Sequence, residues 1–159
     1  MSKSNFERML QLADEVFAVK NDPDQLDVHE EVLDRLRRIH PATVSEYDNG
    51  KGPVAWILLF PTTLDLMQQF LDATISEKEL FDRTPLNIKY DAVYLCSALV
   101  LEEYRRKGIA NRLTLAAIES IHKEHPLKAL FVWTFSKEGD LGAEALARYT
   151  SLSLYKRLK

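Results

Sequence analysis

The chain reads as one α/β domain of the mixed α+β kind, a central sheet flanked by helices, and three observations predict it. Two nearly continuous apolar runs, 92–101 and 129–135, have the composition of strands covered on both faces. Between them Ile109, Leu113, Ala116, Ala117 and Ile121 recur at helical spacing, so the unit at about 92–135 reads strand, tight turn, helix, strand. Finally, the β-rich segments 43–48 and 54–60 flank Asn49-Gly50-Lys51-Gly52, and Asn-Gly in that setting signals a hairpin and hence an antiparallel pair.

The remaining elements follow in order. Phe6, Met9, Leu10, Ala13, Val16 and Phe17 form the apolar stripe of a first helix, with Glu7, Arg8, Asp14 and Glu15 on its wet face. Asp22-Pro23 can cap and open a second helix, with Gln25 three residues past the cap, a stripe of Leu26, Val32, Leu33, Leu36 and Ile39, and a stop near His40 before Pro41. After the hairpin, Leu64, Leu66, Met67, Phe70 and Leu71 mark a third helix over 63–74, and a polar stretch of no clear period runs on to Lys89. Leu141, Ala145, Tyr149, Leu152 and Tyr155 mark a last helix that runs almost to Lys159. No repeat or linker divides the chain, so 1–159 is one domain.

Composition excludes several classes. With 46 % hydrophobic and 28 % charged residues, 5 Gly and 6 Pro, the chain is neither collagen-like nor disordered. A single cysteine, Cys96, forbids an internal disulfide, and four scattered histidines beside one thiol make no structural zinc site, so no metal is expected. No signal-peptide core opens the chain and no stretch is long and apolar enough to span a membrane, which makes the expected location the reducing cytoplasm. A formal charge of -3 exerts no overall pull on nucleic acid or anionic lipid, so any anion site must be local.

One local site stands out. Glu103-Tyr104-Arg105-Arg106-Lys107-Gly108-Ile109-Ala110 joins a buried strand to a helix. A helix N-terminus offers unpaired amides and partial positive charge, Gly108 allows close approach, and Arg105, Arg106 and Lys107 add formal charge. The turn is therefore either a pyrophosphate cradle or a solvated basic loop. It is not a Walker A loop, because Lys107 precedes Gly108 and no hydroxyl residue follows. Nor is it a dinucleotide turn: Gly50, Gly52, Gly108, Gly139 and Gly142 give no Gly-x-Gly-x-x-Gly spacing.

The pattern Arg105-x-x-Gly108-x-Ala110 after a buried strand resembles the Q/R-x-x-G-x-G/A signature of the GNAT family of N-acetyltransferases, the acyl-CoA N-acyltransferase fold. The likeness is tight over about 92–115 and looser through Phe135 and the last helix. It implies an acetyl-CoA-dependent enzyme that transfers acetyl to a small-molecule or peptide amine by direct attack in a ternary complex. It implies that the backbone of Leu99, Val100 and Leu101 meets the pantetheine, and that Arg105, Arg106, Lys107, Gly108, Ile109 and Ala110 hold the pyrophosphate. In that family a tyrosine of the last helix, in a pattern near N-x-x-A-x-x-L-Y-x-K-L-G-F, protonates the departing thiolate. Leu154-Tyr155-Lys156-Arg157-Leu158 resembles its tail, which makes Tyr155 the first candidate and Tyr149 the second; both also lie on the apolar stripe, where aromatics usually fill the core. Glu102 and Glu103, at the end of the first central strand, are candidate bases or simply exposed partners of the adjacent cations.

Cys96, Trp56 and Trp133 read as strand core, and the histidines as surface or capping residues. The family's opening strand and the strands after its tyrosine helix have no counterpart in this reading. A domain so trimmed could complete its site and cover its open sheet edge as a homodimer, or bind CoA without catalysis.

Overall fold

The computed structural model describes residues 3–19, 30–133 and 136–158. In chain order they form α1 (Asn5–Val19), α2 (Glu30–Ile39), β1 (Val44–Asp48), β2 (Pro53–Thr62), α3 (Leu64–Leu71), α4 (Glu77–Arg83), β3 (Ala92–Val100), α5 (Ile109–His122), β4 (Ala129–Trp133), α6 (Lys137–Thr150) and β5 (Ser153–Arg157). The strands make one sheet in the order β1-β2-β3-β4-β5, antiparallel from β1 to β3 and parallel from β3 to β5. The predicted mixed sheet, hairpin and β-α-β unit are all present. The Asp22-Pro23 helix start and Leu26 lie outside the described residues.

Local chemistry explains the joints. At the hairpin, Asp48 Oδ1 accepts from the amides of Gly50 and Gly52 at 2.7 and 3.1 Å, and both glycines take positive φ, 96° and 113°. Thr63 caps α3 by accepting from Leu66 N. Within the polar stretch before Lys89, a capping box of Ser76 and Glu79 starts α4, and Leu80 and Phe81 are buried beneath it.

Both sheet faces are covered. On one, Leu58, Phe60, Tyr94 and Phe131 pack with Leu36 of α2, Phe70 of α3 and Leu80 and Phe81 of α4. Further along that face, Met9 of α1 packs on Val54, Leu99 and Leu101. On the other, Ile57, Leu59, Val93 and Leu130 meet Ile118 and Ile121 of α5 and Leu146 of α6. Each fully buried Leu, Ile or Phe contributes about 1.5–3 kcal/mol, so the two layers hold the strands in register.

The last helix ends earlier than its apolar spacing predicts. α6 stops at Thr150, Ser151 turns the chain at φ 60°, and β5 follows. The stripe Leu141, Ala145, Tyr149 is not the buried one: Ala143 and Leu146 face the sheet, and Leu141 and Tyr149 are exposed. From Ser151 to Leu154 small polar and apolar residues alternate, a period of two that suits a strand. Tyr155 therefore stands on β5 rather than on a helix, and a strand does follow the tyrosine helix. It pairs with the edge of β4 that the sequence left bare.

Candidate active site

The parallel strands β3 and β4 pair only from Ala92–Ala129 to Leu95–Val132. Beyond that point β3 runs on to Val100 beside β2 alone. The register with β2 slips between Leu58 and Leu59, where Leu58 faces Ser97 and Leu59 faces Leu95, so Cys96 is the extra residue of a β-bulge. A bulge bends its strand, and the bend falls where β3 leaves β4. Crevices at the carboxyl ends of parallel strands are where open α/β sheets bind ligands.

Backbone direction along the fork follows from one bond. Leu101 N donates to Val54 O at 3.0 Å, and in an antiparallel ladder alternate residues point the same way. Ser97, Leu99 and Leu101 thus turn their amides and carbonyls toward β2. Ala98 and Val100 turn theirs into the gap. Sequence reasoning set the backbone of Leu99, Val100 and Leu101 against the pantetheine; of these three only Val100 turns its polar groups into the gap, and Ala98, exposed, joins it.

The signature turn follows. Glu102–Tyr104 form a single 3-10 turn, Arg106 takes φ 65°, and Gly108 caps α5 at φ 76° with no side-chain cap. Arg112 N is the first helical amide bonded back to the turn, at Gly108 O. Among the described residues no acceptor meets the amides from Arg106 to Asn111, so a row of donors faces outward at the positive end of a helix. Arg105, Arg106, Lys107 and Gly108 are exposed, while Ile109 is buried and anchors the helix. Arg105 Nε bonds Val100 O at 2.9 Å, Lys107 lies over the Tyr104 ring at 5.5 Å, and Arg106 lies 3.7 Å from Glu138 at the start of α6. Asn111 Nδ2 reaches Gly142 O at 3.4 Å, closing α5 on α6.

Of the candidate bases, Glu103 is bonded by Arg8 of α1 at 2.7 Å, which holds its carboxyl below the usual range. Glu102 is exposed beside it. The two tyrosines lie on opposite sides of the sheet. Tyr155 is opposite Phe131, on the α3–α4 face. Tyr149 follows Gly142 by seven residues, within about 20° of two full helical turns, so it shares the side of α6 that meets α5. Both are exposed, and neither fills the core. Cys96, Trp56 and Trp133 are half-buried rather than fully interior.

One cluster went unforeseen because 84 residues separate its members: buried His40 faces Glu124 Oε1 at 3.3 Å, and His125 is close by. Its donor set does not fit a metal. His40 Nδ1 accepts from Ala42 N and His125 Nδ1 accepts from Tyr90 N, so in each neutral ring the proton occupies Nε2, the only nitrogen left to ligate.

Comparison with known proteins bears on this arrangement. Two crystal structures of the aminoglycoside acetyltransferase meta-AAC0020 from an uncultured soil metagenomic sample are similar at 20 % identity. The complex with trehalose is covered over 92 % of this chain and 77 % of that one, with a TM-score of 0.47. For the complex with sisomicin the figures are 97 %, 88 % and 0.49. A search of curated proteins found no significant match. The model of the acetyltransferase (GNAT) family matches residues 6–149, from the first turn of α1 to the last turn of α6 with the fork and the basic turn between them. The chain belongs to the acetyltransferase (GNAT) family.

Proposed function

We propose that the protein transfers an acetyl group from acetyl-CoA to the amine of a small molecule or peptide, both bound together at the fork between β3 and β4. The observation that carries this reading is the continuity of the open edge of β3, at Ala98 and Val100, with the outward amides that begin α5. A pantetheine arm is an extended amide chain and suits the edge of a strand; a pyrophosphate suits a helix N-terminus flanked by three cations. Gly108, left-handed and without a side chain, leaves room for phosphate oxygens at the cap.

When bound, acetyl-CoA supplies an activated thioester, and the amine attacks its carbonyl. The chain's own residues then have three tasks: hold the phosphates, take the amine's proton and return a proton to the thiolate. Arg105, Arg106 and Lys107 serve the first. Tyr149, on the α5 side of α6, is the donor this reading favours; Tyr155 lies on the opposite face of the sheet. Glu102 is the better base of the two acids, because Arg8 weakens Glu103 as a proton acceptor. The test is acetyl-CoA incubated with a panel of amines and read by mass spectrometry. Acetylated product supports the reading, and CoA binding with no product from any amine replaces it with a CoA-binding domain.

A further inference from the structure

Arg157, at the end of β5, faces Trp133 in the parallel register. Its side chain is buried, donates to Ile75 O at 2.9 Å, and lies 4.5 Å from the Phe70 ring centroid and 4.4 Å from that of Trp133. Phe70 meets Trp133 edge-on at 5.8 Å. On the same face, Tyr94 donates its hydroxyl to Glu77, and both are buried. Burying a guanidinium has a desolvation cost that an aliphatic residue would avoid. The guanidinium also supplies geometry, since one planar cation touches two rings and bonds a carbonyl at once.

Position gives that geometry a use. The β3–β4 pairing ends at Leu95 and Val132, one residue short of Trp133, so the indole stands where the strands part. Helices α5 and α6 pack on the other face, leaving the α3–α4 face for whatever meets the thioester from across the sheet. We propose that Arg157 is a positioning residue: held between Phe70 and Trp133, it fixes the indole as the wall of the fork on the side from which the acceptor amine approaches. This inference rests on the acyl-transfer reading.

The protein has two tryptophans, so a Trp56→Phe background leaves Trp133 as the only indole emitter. In that background acetyl-CoA changes Trp133 emission. Arg157→Met and Arg157→Lys, which lacks the planar fork, both abolish most of that change with calorimetric affinity for acetyl-CoA preserved. Thiol release from acetyl-CoA with hydroxylamine as acceptor then falls about 10- to 100-fold, the scale of a small misplacement. Should Arg157→Met not fold, Phe70→Leu removes one stacking ring and carries the same expectation. Parent-like emission change and turnover in these variants overturn the inference, as does a parent that binds acetyl-CoA with no response from Trp133. A parent that binds no acetyl-CoA in the calorimeter overturns the acyl-transfer reading itself, and this inference with it.

Discussion

Arg105 Nε donates to the carbonyl oxygen of Val100 at 2.9 Å, so the first residue of the signature turn folds back onto the edge of β3 that looks into the fork. That bond occupies the Val100 carbonyl and leaves the Val100 amide and both polar groups of Ala98 facing the gap. Residue-resolved hydrogen exchange should therefore show the amides of Ala98 and Val100 slowing when acetyl-CoA binds. Leu99 and Leu101 amides, directed at β2, should be slow with or without it. Protection gained at Leu99 and Leu101 alone would mean that the ligand lies elsewhere.

Tyr149 and Tyr155 on opposite faces give a paired test. Loss of a general acid costs about 10²- to 10⁴-fold in rate, so Tyr149→Phe should lower kcat by that order with the acetyl-CoA dissociation constant unchanged. Tyr155→Phe should leave kcat near the parent value. The reverse pattern would return the role to β5, and two silent variants would assign the proton to water.

The Arg8–Glu103 pair ties α1 to the turn, and its bond keeps Glu103 ionised to lower pH than an ordinary carboxylate. The stabilisation it lends is present above the ordinary value of 4.5 and fades as pH falls through the lowered one. Glu103→Gln should leave the acid limb of the pH–rate profile in place, whereas Glu102→Gln should depress turnover. Kinetics for the two variants across pH 5–9 would check this.

His125 provides a second pH prediction. Burial, Lys89 and His40 hold its pKa below the ordinary 6.5, against the opposing pull of Glu124. A group depressed in the folded state favours folding fully above 6.5, and that favour is lost as pH falls toward the folded value. Protonation also removes the lone pair that accepts Tyr90 N. Melting temperature should fall on acidification below neutrality, and less steeply in His125→Asn, whose side-chain oxygen can still accept that amide. Added zinc should not raise it.

The β-α-β unit was legible because apolar runs and helical spacing agree with tertiary burial there, and the turn was legible because its glycine and cations lie in one short stretch. Four features were not. The Ser76–Glu79 capping box was present but sat in a polar stretch with few apolar residues to give it a period. Tyr155 was misplaced because Leu152 and Tyr155 also fit a helical stripe, and only the Ser-Leu alternation after Thr150 marks a strand. Backbone direction at Ala98 depends on the ladder with β2, which no local pattern records, and the burial of Arg157 depends on Phe70 and Trp133 meeting across two strands.

The central claim is that the turn before α5 holds the pyrophosphate of acetyl-CoA, and calorimetric comparison of acetyl-CoA with acetyl-pantetheine tests it most directly. A charge-assisted hydrogen bond is worth about 1.5–3 kcal/mol, so removing the nucleotide and its phosphates should weaken binding roughly tenfold or more. The difference should shrink as salt screens Arg105, Arg106 and Lys107. Equal affinities for the two ligands, unaffected by salt, would contradict the account.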